Sequence, residues 1–346
     1  MKAWGPSVRR ADPQGLVSDR SAFLCAALGA LSQSCHRALG GHSRPLEVRH
    51  AGAALSLLTK VDDQVIDALA FHGGADTPRA TVERRVRAHL APTLDAIWRA
   101  QPTDSHPRTA LAAALGQTLR RLAAGNHGRL DHLLNVISEG WEIQVQAVAA
   151  FSRHPNDVER QDIERITASI SGLWLLMITM IGTLPPDAHR TLTPDEERAF
   201  TDWGAWIQRA DARADLDKDL QDGLISSLPG HALSELEPNL CAASDPRALY
   251  ALLAKHEIDA AFMPSSAQLD ALQRRVQGLG EIPTLLRWIH GFLTWRYLRH
   301  PLCQRASDDP RFARHTTHRA DWRAYVHSVA LYNGTAPTPE GSCLAH

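Results

Sequence analysis

Apolar positions along this chain recur every three to four residues in long Ala-, Leu- and Arg-rich stretches, and Pro and Gly punctuate those stretches. That period is helical, and no alternating Val/Ile/Thr segment reads as a strand. An N-terminal arm to about Val17 precedes a helix capped at Ser18 or Ser21. The breaker Gly40-Gly41-His42-Ser43-Arg44-Pro45 leads into a long apolar helix from about Leu46 to Phe71, ended by His72-Gly73-Gly74. Further helices are expected near 80–100, 108–124, 129–152, 157–182 and 193–222, then around 246–255, 266–278 and 282–299. Residues 1–18 read as an arm, 19–334 as one helical domain and 335–346 as a disordered tail. The pattern predicts a single-domain all-α bundle of about ten helices.

Composition narrows the function classes. Acidic and basic residues nearly cancel, with a formal net charge of -1, which argues against a nucleic-acid or anionic-membrane partner. The N-terminus has no secretory pattern, and the five cysteines contain no CxxC pair. A cytoplasmic protein without a disulfide framework or zinc knuckle is expected. The apolar run Ile166 to Gly182 contains Thr167, Ser169, Ser171 and Thr179 and is short for a membrane span, so it reads as a core helix. The eighteen histidines form no HExxH or similar set. His127, His132, His290 and His300 stand alone, and there is no GxGxxG, P-loop or GxSxG.

Acidic residues carry the candidate chemistry. Asp62, Asp63 and Asp67 form one cluster; Asp211, Asp215 and Asp219, with Asp222 close behind, form another about 150 residues later. Residues four apart advance only about 40° around a helix, so Asp63 and Asp67 share a face, as do Asp211, Asp215 and Asp219. A lone DxxxD also fits a solvated helix face, and RADARADLDKDLQDG mixes acids with Arg213 and Lys218 as an exposed salt-bridged helix would. The first cluster, however, sits in AGAALSLLTKVDDQVIDALAF, apolar around nearly its whole circumference, where carboxylates need basic partners or a cation. Magnesium suits such oxygen donors and commonly shares them with phosphate oxygens. Lys60 and Lys218 lie beside the clusters as candidates to hold the same anion, and Arg49 can grip phosphate bidentately.

Several patterns in order from about residue 20 to 300 resemble the squalene/phytoene synthase branch of the class I isoprenoid synthases. Arg44-Pro45-Leu46-Glu47-Val48-Arg49 followed by LLTKVDDQVID is similar to the family's arginine and first DxxxD. RITASISGLWLLMITMIG is similar to its small-residue central helix, with Ala168, Ser169 and Gly172 at small positions. In WIQRADARADLDKDLQDGLISSLP, Gln208, Asp211, Asp215, Asp219, Gly223 and Leu228-Pro229 follow the family's Gln, Asn, Asp, Asp, Gly, Leu-Pro order, with Asp211 replacing Asn. The spacing also resembles the metal triad of class I terpene cyclases. Ala214 and Ser226-Ser227 stand where the family has an Arg and an Arg-Ile-Tyr run, which puts head-to-head condensation in doubt.

The resemblance implies a class I isoprenoid synthase bundle around a central apolar cavity, with Mg2+ held by Asp63, Asp67, Asp211, Asp215 and Asp219. An allylic prenyl diphosphate would be the substrate, with Arg49, Lys60, Gln208 and Lys218 on its diphosphate and Phe23, Leu57, Leu58, Trp141, Ser169, Gly172, Trp174, Met177, Trp206 and Trp288 around its chain. Ionisation would be followed by prenyl transfer or condensation, as in a prenyltransferase, or by cyclisation, as in a terpene synthase. An apolar product would bring peripheral membrane contact. The alternative in another class is a non-catalytic helical-bundle binding protein that kept the fold.

Overall fold

A helix that is apolar on every side is stable only where neighbours cover all of it. The computed structural model describes residues 19–71, 77–151, 160–221, 266–287 and 289, and it supplies those neighbours. The elements are α1 (Asp19–Ala38), α2 (Pro45–Phe71), α3 (Arg79–Arg99), α4 (Pro107–Ala123), α5 (His127–Phe151), α6 (Arg160–Ile181), α7 (Pro194–Gln221) and α8 (Ser266–Arg275). The protein is all-α, with no strand among the described residues. The expected helices up to residue 222 agree with these to within about three residues at each end, whereas the one expected at 246–255 lies outside the described residues.

α2 is the hub. It packs against α1, α3, α4, α5 and α6, and its Val48, Leu55, Leu58 and Ile66 are fully buried. α7 packs chiefly against α6 on the far side, and α8 rests on α7. No helix among the described residues is long and apolar enough to cross a membrane; α6, which carries the Ile166 run, is a core helix with Leu175, Ile178 and Ile181 fully buried.

Glycines set two of the closest helix crossings. A Cβ on Gly29 of α1 would lie 2.4 Å from the Arg49 carbonyl oxygen of α2, and one on Gly52 would lie 2.1 Å from Ser32 Oγ. Where α6 meets α7, a Cβ on Gly204 would lie 2.3 Å from the Ser171 carbonyl oxygen and 2.4 Å from Gly172 Cα. Backbones therefore touch at that crossing, with no room for a side chain.

One end of the bundle is fastened by polar groups. Fully buried His36 of α1 reaches the carbonyl oxygens of Gly182 at 3.1 Å and Ser43 at 2.9 Å. Asp187 accepts hydrogen bonds from the backbone N–H groups of His42 and Ser43 and from Ser43 Oγ. Desolvation opposes ionisation of Asp187, but these hydrogen bonds outweigh it and hold its carboxyl well below the usual carboxylate range. The turn after α1 is thus tied to the turn after α6. α7 then starts in a capping box: Thr193 Oγ1 accepts from the Glu196 N–H, Glu196 accepts from the Thr193 N–H, and Arg190 grips Glu196 at 2.6 and 2.7 Å. Cys25 and Cys35 are buried free thiols, pushed up to about 12 by desolvation, which makes them inert packing groups.

Candidate functional site

Asp62 and Asp63 are consecutive on α2, so their side chains leave it about 100° apart and meet different surroundings. Asp62 is 2% exposed, and its Oδ1 accepts from Arg108 Nη1 of α4 at 2.9 Å, with His89 Nε2 of α3 at 3.5 Å. Arg108 is itself 7% exposed, contacts the His89 ring and donates through Nη2 to the His89 carbonyl at 3.0 Å. This buried pair joins three helices. The second Asp62 oxygen, Oδ2, has no hydrogen-bond partner among the described residues.

Asp63 is half-buried and held from two sides. Lys60 Nζ donates to its Oδ2 at 3.1 Å from one turn earlier, and Gln144 Nε2 of α5 donates to its Oδ1 at 2.9 Å. Lys60 therefore already neutralises Asp63, where the sequence suggested a contact with substrate.

Both aspartates line one small cavity between α2, α3, α5 and α6. Thr59, Leu90, Gly140, Trp141, Gln144, Ile170, Trp174 and Met177 complete its wall, and it encloses about 30 Å³. Gly140 makes room for Met177: a Cβ there would come within 2.9 Å of Met177 Cε. The indole N–H groups of Trp141 and Trp174 are buried without a hydrogen-bond partner among the described residues. Sites for drug-sized molecules usually measure about 300–1,000 Å³. As it stands this partly open cavity admits a water-sized occupant, and a prenyl chain would need Met177 or the indoles to move.

The remaining expected site residues divide by location. Trp141, Trp174 and Met177, three of the expected wall residues, share the cavity with Asp63. Leu57 and Leu58 are buried in the core, away from the lining. Ser169 donates to the Arg165 carbonyl within α6, and Gly172 lies at the α6–α7 crossing against Thr201. Trp206 is partly buried with the Arg209 guanidinium 4.6 Å from its ring centre. Gln208 accepts from Ser171 Oγ, which places it at the same crossing. Asp211 follows on α7, one turn after Ile207, and is half-buried. Arg49 lies fourteen positions before Asp63 on the unbroken α2, about 21 Å along its axis, so the two do not grip one diphosphate from opposite oxygens. Asp67, Asp215, Lys218 and Asp219 lie on α2 and α7, but their side chains, with those of Phe23 and Trp288, lie outside the described residues.

Sequence reasoning missed His89, Arg108, Gln144 and Gly140. Arg108 carried a usable signal: a cation at the second position of a Pro-started helix faces the positive end of the helix dipole, which implies an anionic partner. Gln144 carried another, as a polar residue one turn after Trp141 on a face whose other members, Leu134, Ile137 and Val148, are buried.

Among the described residues no three His, Cys, Asp or Glu side chains come together as a metal-holding group. The described donors still suit magnesium in kind, because this ion commonly takes one or two carboxylates and completes its shell with waters and phosphate oxygens. Both Asp63 oxygens are already engaged, by Lys60 and Gln144, whereas Asp62 has Oδ1 committed to Arg108 and Oδ2 without a partner among the described residues. No protein-family model matches the chain, and neither a curated protein nor a solved structure does.

Proposed function

We propose that the protein is a magnesium-dependent class I isoprenoid synthase, similar to squalene/phytoene synthases, which ionises an allylic prenyl diphosphate. The observation that carries this reading is the meeting of Asp62 and Asp63 with Trp141, Trp174 and Met177 around one cavity, in a helix otherwise buried by five others. Carboxylates beside aromatic and thioether walls suit an anionic head bound through a cation and an apolar tail that becomes cationic. When bound, magnesium would neutralise charge on the departing diphosphate. Asp63 and Asp67 would hold it on α2, and Asp211, Asp215 and Asp219 on α7. Gln144 keeps Asp63 oriented, Lys60 is near enough to follow the anion, and the indole faces stabilise positive charge while excluding water.

Terpene cyclisation uses the same first step and differs only in what the cation meets. A non-catalytic binding protein is the reading favoured by the small volume of about 30 Å³ and by the Lys60–Asp63 pair. Incubation with geranyl, farnesyl or geranylgeranyl diphosphate separates the classes. Pyrophosphate release that needs magnesium and stops with a chelator is expected; no release from any of the three would leave the binding-protein reading. Mass analysis of the organic extract then distinguishes chain joining from cyclisation.

A further inference from the structure

The protons of a buried imidazole follow from what its two nitrogens face. The His36 ring on α1 is fully buried, with Nδ1 3.1 Å from the Gly182 carbonyl oxygen and Nε2 2.9 Å from that of Ser43. A carbonyl oxygen only accepts, and a neutral imidazole has one donor and one acceptor nitrogen. Either neutral tautomer would press a lone pair against a carbonyl oxygen at a ring with no exposed surface. Turning the ring over would put carbon against both oxygens. Only the doubly protonated ring donates to both.

A buried cation needs a counter-charge, and Asp187 supplies it. Its Oδ1 lies 3.7 Å from Nε2, and it is the one carboxylate within 4 Å of the ring nitrogens among the described residues. Asp187 is kept ionised by the N–H groups of His42 and Ser43 and by Ser43 Oγ, with His36 adding to the effect. The other charged groups around these turns are committed elsewhere. Arg129 of α5 donates to the carbonyl oxygens of Thr183 at 2.7 Å and Ala188 at 3.1 Å, Arg190 grips Glu196 of α7, and Arg44 donates to the Arg121 carbonyl. The neighbouring Cys35 thiol is uncharged, the His189 ring lies over Gly40, and His42 is exposed.

We infer that His36 is a buried imidazolium paired with Asp187, and that the pair is a proton-operated latch between the turn before α2 and the turn after α6. With both ring protons in place, α1 donates to Ser43 on one turn and to Gly182 on the other. Loss of one proton to solvent base leaves a neutral ring that holds one turn and repels the other, and it strips Asp187 of its counter-charge. The turn at 40–44 then loosens. The folded chain thus keeps a proton that the unfolded chain releases near the ordinary imidazole pKa of about 6.5. Stability from the pair is full below that value and is lost as pH rises past the point where the folded ring gives up its proton. Because α2 starts at Pro45 and both α2 and α6 line the cavity, the latch sets how those two helices are seated. The latch is independent of what the cavity binds.

Two measurements on the full chain test this. Nitrogen-15 spectra of histidine-labelled protein at about pH 8, where exposed histidines are neutral, should show hydrogen on both ring nitrogens of His36. A Cβ on Gly41 would lie 1.9 Å from His36 Cε1, so the contact between the Gly41 α-hydrogen and the Cε1 hydrogen identifies the ring. One bare nitrogen at that pH overturns the imidazolium. In Asp187→Asn the second proton should leave at a lower pH than in the unaltered chain; an unmoved titration overturns the pairing. Amide hydrogen exchange reads the latch itself, through the His42 and Ser43 N–H groups that bond Asp187. Corrected for the chemical exchange rate, their protection should fall several-fold between about pH 7 and 9. Unchanged protection overturns the latch, as does the same fall in His36→Gln, which has no ring to titrate.

Discussion

Replacing Arg108 with methionine isolates the charge that holds the first acidic cluster. Methionine keeps much of the arginine stem, so packing between α2, α3 and α4 is largely retained while the guanidinium is lost. Asp62, 2% exposed and bonded to Arg108 at 2.9 Å, is then a buried carboxylate with only His89 Nε2 nearby, at 3.5 Å. Removing one partner of a buried pair costs about 3–5 kcal/mol, chiefly because the remaining charge is stranded. Asp62→Asn in the same background removes that charge and leaves a neutral amide, whose unsatisfied burial costs about 1–3 kcal/mol. The double variant should therefore recover about 1–2 kcal/mol relative to Arg108→Met alone. Urea unfolding at pH 7, followed by far-ultraviolet dichroism and tryptophan fluorescence, reads these differences. A loss below about 1 kcal/mol in Arg108→Met, or a double variant no better than that single one, would refute the view that this pair balances a buried charge.

Four further substitutions have outcomes set by local geometry. Gly204→Ala drives a methyl into the Ser171 carbonyl oxygen and Gly172 Cα, so α6 and α7 must separate, at a net cost of about 1–2 kcal/mol in thermal or urea unfolding; Gly128→Ala, which meets nothing within 4 Å in α5, should stabilise by about 0.5–1 kcal/mol. Ala100, at φ 55° after α3, should gain about 0.5–1 kcal/mol on replacement by glycine, read as a raised unfolding midpoint. The depressed Asp187 carboxyl contributes stability that is fully present above the ordinary carboxylate pKa of about 3.9 and lost as pH falls through its lower folded value. Asp187→Asn should thus cost about 1 kcal/mol at pH 7 and show a shallower loss below about pH 4; an unchanged acid limb in unfolding curves would contradict the assignment.

Helix period and breakers were legible because they are local. Pro45, Pro107 and Pro194 each start a helix where the missing N–H costs nothing, and the apolar circumference of α2 already implied neighbours on every side. The site was legible only in part. Trp141, Trp174 and Met177 were expected as wall residues only through the family resemblance, which named core positions such as Leu57 and Leu58 alongside them. Asp62 looked like a companion of Asp63 because the two are adjacent, yet 100° of helix rotation sends one to Arg108 and the other to Lys60 and Gln144. Arg49 looked close to Asp63 in sequence order, and only the unbroken length of α2 separates them by about 21 Å. Partners such as His89 and Arg108 come from α3 and α4, and no spacing rule within α2 could have supplied them.

Pyrophosphate release from farnesyl diphosphate, compared side by side in the unaltered chain, Asp63→Asn and Asp215→Asn, bears most directly on the proposed chemistry. Each variant keeps the size of the side chain and removes its charge. Magnesium-dependent release by the unaltered chain, reduced about 100-fold or more in both variants while the helical signal is unchanged, is the predicted result; a 100-fold loss corresponds to about 2.7 kcal/mol of transition-state stabilisation. Equal release by all three proteins, or none by the unaltered chain, would contradict an ionisation site built on these two acidic helices.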